Sequence, residues 1–373
     1  MELFQQMADM GHERVLFCSS PEVGLQAIIA VHSTVLGPGL GGARMWPYQS
    51  MDEALTDVLR LARGMTYKAA VTGLNLGGGK AVILGDPKTD KNEALFRTFG
   101  RFVDSLGGLY ITAEDVGTDV SDMEWIYTET PWVTGVSAAH GGSGDPSPVT
   151  AFGVLQGIKA SVRFLQGTDS LAGRSVAIQG LGSVGCHLAR FLIEDEKAKV
   201  FGADVDTDRI ARAQETGVEI VSKEEILGID CDVVAPCALG AVLNENTIPE
   251  LKCKIVAGAA NNQLADEKRD GQALHERGIL YAPDFVINAG GLINVYHELT
   301  GYDRERAMRA ARGIYNNMIR VYEISRDQSM PTYQAADRLA EERIDRMKRM
   351  APQHWGQHWR KTIRERALPR NGT

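Results

Sequence analysis

The sequence of 373 residues has few cysteines, no long apolar run and no excess of basic residues. Its five cysteines (Cys18, Cys186, Cys231, Cys237 and Cys253) are scattered, odd in number and without metal-site spacing, which fits a reducing cytoplasm. No apolar run approaches the roughly 18 residues of a membrane-spanning helix. The N-terminus has no basic segment before an apolar one, so we expect no signal peptide.

Acidic residues outnumber basic ones, 48 to 40, and the formal net charge is −8. This balance argues against nucleic acid or an anionic membrane surface as the main partner. Hydrophobic residues make up 44% and charged residues 24%, an ordinary globular balance that can form sizeable cores. The length is enough for about two domains of ~100–200 residues each.

The glycine-rich segment GLNLGGGKAV, residues 73–82, lacks the pattern of a phosphate-binding P-loop. That pattern, G-x-x-x-x-G-K-[ST], requires glycine at position 74 and serine or threonine after the lysine. The sequence has Leu74 and Ala81 there, so phosphate binding does not account for Lys80. We interpret the glycines instead as leaving little side chain around Lys80, so that a ligand can approach the backbone and the amine.

Local patterns divide the chain near GGSGDPSP, residues 141–148, which is typical of a turn-rich hinge. Before it, SMDEALTDVLRLARGMTY begins with a capping box at Ser50 and Glu53 and predicts a helix. One face of that helix carries Val58, Leu61, Met65 and Lys68. After the hinge, helical and β-rich stretches alternate, which predicts βαβ units and a parallel sheet. From about residue 331 we expect a charged terminal helix packed back on the body.

The segment SVAIQGLGSVG contains Gly180, Gly182 and Gly185 as G-x-G-x-x-G, after an apolar strand and before an amphipathic helix. In a dinucleotide site the first glycine allows a tight turn, the second lets the pyrophosphate approach the backbone, and the third lets helix and strand pack closely. The next strand runs into Asp204, placed to accept hydrogen bonds from the adenosine ribose, which favours NAD over NADP. The alternative is a glycine-rich turn in an α/β sheet without a cofactor.

Three charged residues are candidates for substrate binding and catalysis. Lys68 continues an apolar helical stripe and is either a snorkelling lysine or a counter-charge for a substrate carboxylate. Lys68 and Lys80 in one pocket would lower each other's pKa, as would desolvation, so that a neutral lysine could act as a base. Asp115, in LYITAEDVGT, follows an apolar strand and is either a proton-transfer group or a turn or cap residue.

Six segments resemble the Glu/Leu/Phe/Val amino-acid dehydrogenase family, and most closely its members that act on leucine. They are LGPGLGGARMWPY (36–48), GMTYKAAVTGLNLGGGKAVI (64–83), YITAEDVGTDVSDM (110–123), APCALGAVLN (235–244), AGAANNQLAD (257–266) and YAPDFVINAGGLINV (281–295). The resemblance implies NAD-dependent, reversible oxidative deamination of branched-chain L-amino acids to 2-oxo acids and ammonia. A phenylalanine or other aromatic specificity and a non-enzymatic NAD-binding sensor are the alternatives.

The resemblance also implies roles for individual residues. Lys68 would hold the substrate α-carboxylate, Lys80 would activate the water that attacks the imine carbon, and Asp115 would exchange a proton with the amino group. Thr150 and Asn262 would lie near the nicotinamide carboxamide and the substrate. The other substrate-binding residues are Leu40, Gly41, Gly42, Met65, Ala113, Leu292 and Val295, and the other NAD-binding residues are Gly180, Leu181, Gly182, Ser183, Val184, Gly185, Cys186 and Asp204.

The fold implied by the resemblance is α/β, with two domains around a cleft. Residues 1–137 would form a mixed-sheet domain for substrate binding and oligomerisation, and residues 138–335 a doubly wound Rossmann domain for NAD. Residues 336–373 would form a helical segment that returns to the first domain. The resemblance further implies a homo-oligomer, often an octamer, that acts on small molecules and has no nucleic acid or membrane partner.

The sequence departs from the family at a few positions. Gly39 replaces a more usual alanine, and Leu292 stands where valine is common. The tail PQHWGQHWRKTIRERA is not the family's usual ending, and its His354 and His358 are spaced four apart, as a metal site on a helix would need. Two ligands alone do not make a site, so we expect packing or interface roles for these histidines and no metal.

Overall fold

The computed structural model describes residues 3–238 and 240–350, so the tail with His354 and His358 lies outside the described residues. Contacts divide the chain into two compact units. Within the described chain, the first unit comprises residues 3–144, 295–304 and 340–350. The second unit comprises residues 145–238, 240–294 and 305–339.

The first unit is built on a six-stranded mixed sheet with the order β1-β2-β5-β3-β6, in which β4 also pairs with β5. Strands β1 and β2 and strands β2 and β5 are antiparallel, whereas β3 and β4 run parallel to β5. The strands are β1 (Arg14–Ser20), β2 (Leu25–Ser33), β3 (Gly39–Leu40), β4 (Ala43–Trp46), β5 (Gly77–Leu84) and β6 (Tyr110–Ile111), and the helices are α1 (Leu3–Met10), α2 (Met51–Val71), α3 (Glu93–Ser105) and α4 (Val120–Tyr127).

Helix α2 begins where the sequence predicts it. The Ser50 side chain accepts a hydrogen bond from the Glu53 N–H, and the Glu53 carboxylate accepts one from the N–H of Gln49, so only half of the expected capping box forms. The core between α2 and strands β2 and β5 consists of Ile28, Ala30, Ala54, Leu55, Val58, Leu59, Ala62 and Val82. Full burial of each larger aliphatic side chain contributes roughly 1.5–3 kcal/mol to stability. This burial stabilises the packing of α2 against β5.

The second unit is built on a six-stranded parallel sheet with the order β12-β11-β10-β7-β8-β9. Its strands are β7 (Ser175–Gln179), β8 (Lys199–Ala203), β9 (Glu219–Ile220), β10 (Val233–Pro236), β11 (Ile255–Val256) and β12 (Leu280–Tyr281). The helices after residue 144 are α5 (Ser147–Gln166), α6 (Ser183–Arg190), α7 (Thr207–Glu215), α8 (Glu267–Glu276), α9 (Asp284–Ile287), α10 (Gly290–Glu298), α11 (Arg304–Ala311), α12 (Gly313–Gln328) and α13 (Thr332–Met350).

The order of the second sheet is that of a doubly wound dinucleotide-binding fold, read from the opposite edge. Strands β7 to β9 extend the sheet toward one edge and strands β10 to β12 extend it toward the other, so the strand order reverses between β7 and β10. Ligands in such sheets bind at the carboxyl ends of the strands beside this point. Strands β7, β10 and β11 are almost wholly buried, as expected for a sheet covered on both faces. The predicted α/β class, with a mixed first sheet and a doubly wound second sheet, is confirmed.

Contacts assign residues 138–144 and 295–304 to the first unit, whereas the division expected from the sequence placed them in the second. One cause is Glu298, a fully buried carboxylate near the end of α10. It accepts hydrogen bonds from the backbone N–H groups of Gly135 and Ser143, both at 2.9 Å. This long-range tie between α10 and the hinge segment leaves no local pattern in the sequence.

Candidate active site

Lys80 lies in β5, at the centre of the first sheet. It pairs with Ala30 of β2, and only 6% of its surface is exposed. Burying an ammonium group is costly unless a counter-charge accompanies it. That counter-charge is Asp115, whose Oδ2 is in ion-pair contact with Lys80 Nζ. The structure therefore brings together the two residues that the sequence proposed as catalytic.

Gly78 and Gly79, beside Lys80, have a packing role rather than the open space expected from the sequence. A Cβ on Gly78 would lie 2.2 Å from the backbone nitrogen of Thr66 in α2. A Cβ on Gly79 would lie 2.5 Å from the ring of Tyr110 in β6. Protein atoms fill the space beside both glycines, so their role as cleared room for a ligand is wrong. They allow α2 and β6 to approach the strand that carries Lys80.

Asp115 is held by a tight turn after β6. Its N–H donates a hydrogen bond to Thr118 Oγ1 at 2.9 Å, and Thr118 Oγ1 donates to the carbonyl of Ala43, also at 2.9 Å. Gly117 has a φ of 83°, and a Cβ there would lie 2.0 Å from the carbonyl oxygen of Met45. The turn is thus a fixed support and not a loose loop. The sequence left open whether Asp115 was a turn residue, and here it is a turn residue that also holds a buried ion pair.

Gly42 and Gly41, two of the predicted substrate-binding residues, lie close to this pair. A Cβ on Gly42 would lie 2.8 Å from Asp115 Cβ, so any larger residue there would displace the carboxylate. A Cβ on Gly41 would lie 1.8 Å from the carbonyl oxygen of Gly79 and 3.2 Å from Met65 Cγ. Met65, another predicted substrate-binding residue, therefore approaches the same part of the sheet.

Arg44 is a charged residue of this site that the sequence reasoning missed. It lies in β4, paired with Val82 of β5, and its Nε is 3.4 Å from Asp115 Oδ2. Its Nη1 is 3.0 Å from Asp57 Oδ2 on α2. Tyr48 donates a hydrogen bond to the same Asp57 oxygen at 2.6 Å. The available signal was an arginine within the otherwise uncharged segment GGARMWPY, next to the glycines already noted.

The two cations decide the ionisation of Asp115. Burial on its own would raise the pKa of this carboxyl, because the charged form loses its hydration. Lys80 and, to a smaller extent, Arg44 act in the opposite direction, and the resulting pKa of Asp115 is lowered from its ordinary value. Asp115 is therefore a carboxylate over the whole neutral and alkaline range.

Lys68 lies in the last turn of α2, three residues after Met65, and both side chains are half-buried. Of the predicted stripe on this helix, only Val58 is fully buried, whereas Leu61, Met65 and Lys68 are half-buried. The stripe therefore runs along the margin of the core rather than through its centre. That placement leaves Lys68 partly accessible, and its role toward a substrate carboxylate stays a prediction.

The four residues predicted to form the side-chain pocket are buried or half-buried. Leu40 and Ala113 are 1% and 6% exposed in the first unit, and Val295 is half-buried in the same unit. Leu292, 6% exposed, belongs to the second unit. All four are apolar, but a common pocket formed by them stays a prediction.

The glycine loop after β7 has the geometry that its spacing predicts. Gly180 has a φ of 99°, which other residues rarely adopt. A Cβ on Gly185 would lie 2.1 Å from the carbonyl oxygen of Gly180, so only glycine allows this close approach of helix and loop. A Cβ on Gly182 would meet nothing nearer than Arg209 Nη1 at 3.8 Å, so its backbone is open to a ligand. These residues fit a dinucleotide pyrophosphate at the start of α6.

Asp204 follows β8 and faces this loop. Its Oδ2 accepts a hydrogen bond from the N–H of Leu181 at 2.7 Å, and its Oδ1 accepts from those of Val205 and Asp206 at 2.8 and 3.0 Å. Burial on its own would raise the pKa of Asp204. The backbone donors have the opposite and larger effect, together with Arg209, whose Nη1 is 3.9 Å from Asp204 Oδ2, so that the resulting pKa is lowered. Asp204 is therefore a carboxylate held in one orientation beside the loop.

A cleft of about 460 Å³ opens next to the loop and contains a cluster of basic side chains. Its lining consists of Leu181, Gly182, Ser183, Cys186, His187, Arg190, Arg209, Arg212, Ala213 and Thr216. Burial raises the pKa of the Cys186 thiol, whose Sγ donates to the carbonyl of Leu181 at 2.9 Å. Cys186 is therefore a packing residue of the loop rather than a nucleophile.

Thr150 and Asn262, the less specific predictions, both lie in the second unit. Thr150 is in the first turn of α5, where its hydroxyl donates to the carbonyl of Pro146 at 3.0 Å. Asn262 has a φ of 51° and its carbonyl oxygen accepts from the N–H of Ala241 at 2.6 Å. Asparagine is one of the few residues that adopt this left-handed conformation readily, so the position constrains the backbone as well.

Among the described residues, no group of three or more His, Cys, Asp or Glu side chains is arranged to hold a metal ion. Every helix in that part of the chain is too short or too polar to span a bilayer.

Two family models match the chain over most of its length. Residues 12–132 match the model described as Glu/Leu/Phe/Val dehydrogenase, dimerisation domain. Residues 199–350 match the model described as Glutamate/Leucine/Phenylalanine/Valine dehydrogenase.

Similar proteins of both aliphatic and aromatic specificity are found. A leucine dehydrogenase from Geobacillus stearothermophilus is 57% identical over 94% of this chain and 95% of its own. An L-tryptophan dehydrogenase from Nostoc punctiforme is 48% identical over 94% of this chain and 98% of its own. The crystal structure of L-tryptophan dehydrogenase from Nostoc punctiforme matches with a TM-score of 0.84 and 46% identity, over 93% of this chain and 99% of that one.

Proposed function

Because this chain belongs to the Glu/Leu/Phe/Val amino-acid dehydrogenase family, we propose that it catalyses the NAD-dependent, reversible oxidative deamination of leucine, valine and isoleucine to 2-oxo acids and ammonia. The observation that carries the proposal is the buried pair of Lys80 and Asp115, which places an amine and a carboxylate in contact. The identity of 57% to a leucine dehydrogenase, against 48% to an L-tryptophan dehydrogenase, supports a branched-chain substrate.

We assign the cofactor site to the glycine loop and Asp204. The open backbone at Gly182 and the start of α6 would hold the pyrophosphate, and the Asp204 carboxylate would accept hydrogen bonds from the ribose hydroxyls. Bound NAD would supply the oxidant, since its nicotinamide ring can take up the hydride that leaves the Cα of the amino acid. Asp204 supports NAD over NADP because the 2′-phosphate of NADP, with a charge of about −2, would be repelled by this carboxylate.

The substrate would be oriented by a charged side chain and by the shape of an apolar pocket. Lys68 would provide the counter-charge for the α-carboxylate, and Gly41 and Gly42, which pack closely against Gly79 and Asp115, would shape the same part of the site. Leu40, Ala113, Leu292 and Val295 would enclose the side chain, and Thr150 and Asn262 would contact the substrate or the carboxamide. None of the four pocket residues offers a side-chain hydrogen bond, so a polar or charged substrate side chain would be buried without partners, at a cost of roughly 1–3 kcal/mol or more.

The proton transfers fall to Lys80 and Asp115. Asp115, a carboxylate by virtue of its two cationic neighbours, would take a proton from the substrate ammonium, so that the amine can be oxidised to the imine. Neutral Lys80 would then take a proton from water as the water oxygen bonds to the imine carbon. Asp115 would then return its proton to the nitrogen of the carbinolamine. As the carbon–nitrogen bond breaks, the hydroxyl proton would pass to the Asp115 carboxylate, and ammonia and the 2-oxo acid would leave.

We also propose that the protein is a cytoplasmic homo-oligomer, with the octamer as the expected size. The match to a domain model described as a dimerisation domain supports self-association through the first unit. Light scattering coupled to size-exclusion chromatography measures the mass directly, and a 40.6 kDa species would contradict self-association.

The experiment that tests the proposed activity is NAD reduction at alkaline pH against a panel of L-amino acids, with ammonia measured as the second product. We expect leucine, valine and isoleucine to be good substrates and glutamate and aspartate to be rejected. A panel in which phenylalanine or tryptophan exceeds leucine in kcat/KM would instead establish an aromatic specificity. NAD binding without turnover of any amino acid would establish the sensor alternative.

A further inference from the structure

We propose, on the basis of the proposed function, that Arg44 is a positioning residue whose fixed positive charge favours the base-active form of the Lys80–Asp115 pair. In that form Asp115 remains a carboxylate after Lys80 has given up its proton.

The contacts form a chain of alternating charge that joins β5, the turn after β6, β4 and α2. Lys80 from β5 and Arg44 from β4 both contact the same oxygen, Asp115 Oδ2, Arg44 at 3.4 Å. On its other side, Arg44 Nη1 lies 3.0 Å from Oδ2 of Asp57 on α2, which also accepts the Tyr48 hydroxyl at 2.6 Å. The side chains of these charged residues are 8–27% exposed, so solvent screens them only in part.

The proposed reaction explains why Asp115 would need Arg44 as a second cation beside Lys80. A base must lose its proton before it can activate water, and a neutral Lys80 would no longer balance the Asp115 charge. An uncompensated carboxylate in this site would draw the proton back, because burial disfavours its charged form. Arg44 cannot release its own proton, since a guanidinium stays charged at any working pH. It therefore remains as the counter-charge of Asp115 whatever the state of Lys80.

The Arg44 guanidinium is also held in one position by its neighbours. Burial lowers the pKa of Arg44, but Asp115 and then Asp57 raise it, and the resulting pKa is raised. The β4 backbone fixes Arg44 beside Val82 in β5, and Asp57 restrains its outer end. Tyr110 from β6 also interacts electrostatically with Asp115, and the pKa of this phenol is raised by burial and, to a smaller extent, by Asp115.

The test is the pH dependence of kcat/KM for leucine, measured between about pH 7 and pH 11 in the full-length enzyme. In Arg44→Gln, the pair keeps its proton more tightly, so we expect the acid limb to move to higher pH by about one unit. We also expect kcat at the wild-type optimum to fall roughly tenfold. Arg44→Lys keeps a charge but not the two-sided contact, so its limb should stay near that of the wild type while kcat falls.

Asp57→Asn should displace the acid limb of the kcat/KM profile in the opposite direction. This second variant provides the test if Arg44→Gln does not fold. With Asp57 neutral, the Arg44 charge acts on the pair with less compensation, and the acid limb should move to lower pH. Arg60→Gln is the matched control, since Arg60 is an exposed arginine of α2 one turn beyond Asp57. Its limb should coincide with that of the wild type.

Limbs of Arg44→Gln and Asp57→Asn that coincide with the wild type, with only thermal stability reduced, would show a structural ion pair and overturn the proposal. An Arg44→Lys limb displaced as far as that of Arg44→Gln would also overturn it. A wild-type enzyme without amino-acid-dependent NAD reduction would refute the proposed function instead, so the two failures are distinct.

Discussion

Lys80, buried in β5, and Asp115, half-buried in the turn after β6, form an ion pair, although α3 and β6 separate them in the sequence. From the sequence alone, Asp115 is either a proton-transfer group or an acid that closes a turn. The contact with Lys80 places an amine and a carboxylate side by side, as the proposed proton transfers require.

Lys68 is expected to act on binding more than on turnover. Lys68→Ala removes the counter-charge proposed for the substrate carboxylate, so the KM for leucine should rise by roughly tenfold or more, with a smaller loss in kcat through misplacement. Steady-state kinetics at saturating NAD measures both. An unchanged KM would identify Lys68 as a half-buried surface residue whose stem covers apolar surface.

Asp204 is expected to determine the preference for NAD over NADP, although arginine side chains line the cleft beside it. The cleft beside it is lined by Arg190, Arg209 and Arg212, which would attract a 2′-phosphate once the carboxylate is neutralised. We expect the wild type to prefer NAD and Asp204→Asn to reduce the ratio of kcat/KM for NAD to that for NADP at least tenfold. The exposed Asp208→Asn is the control and should leave the ratio unchanged. Equal kcat/KM for both cofactors in the wild type would contradict the ribose assignment.

The pocket prediction concerns Ala113, whose methyl group limits the depth expected there. Ala113→Gly should raise kcat/KM for phenylalanine relative to leucine, since one methyl group in an apolar pocket changes discrimination by about 1–3 kcal/mol. Wild-type enzyme should use phenylalanine at least roughly tenfold less well than leucine. A ratio that does not move in the variant would show that Ala113 does not line the pocket.

His32 is expected to make stability fall in acid. It is buried against His12, with ring centroids 4.9 Å apart, and contacts Thr66 Oγ1 and the Met10 carbonyl at 2.8 and 2.9 Å. Burial and the neighbouring His12 lower its pKa to about 4, with Arg63 and Lys348 acting in the same direction. Because the unfolded chain takes up this proton near pH 6.5, its contribution to stability is fully present above that pH. It is lost as pH falls toward 4, by about 3 kcal/mol in total.

Thermal unfolding followed between pH 4 and pH 8 measures this loss. His32→Gln should have a shallower dependence on pH than the wild type over that interval. His275→Gln, at an exposed histidine of α8, should keep the wild-type slope. Parallel curves for the wild type and His32→Gln would show that His32 does not carry the effect.

The sequence predicted well those features whose constraints are local. The turn at Gly180, the close approach at Gly185 and the acid at the end of β8 are each specified within one strand–loop–helix unit. Ser50 likewise predicted the start of α2 from four neighbouring residues.

Features that depend on contacts between distant elements were missed or misread. Arg44 joins the site only because β4 lies parallel to β5 and α2 brings Asp57 to its other side. Gly78 was read as room for a ligand, whereas Thr66 of α2 occupies that room. Glu298 ties the hinge to α10 through hydrogen bonds to Gly135 and Ser143, far away in the sequence. Nothing in local spacing indicates such contacts.

The role of Lys80 as the base is tested by kcat for leucine in Lys80→Ala, measured together with NAD binding to the same variant. Removal of the proposed base should lower kcat by roughly 10²–10⁴-fold while the affinity for NAD is retained, since the cofactor loop lies in the other unit. Lys88→Ala, at an exposed lysine beyond the end of β5, should keep wild-type kcat. A Lys80→Ala enzyme with near wild-type kcat would contradict the assignment of the Lys80–Asp115 pair as the catalytic centre.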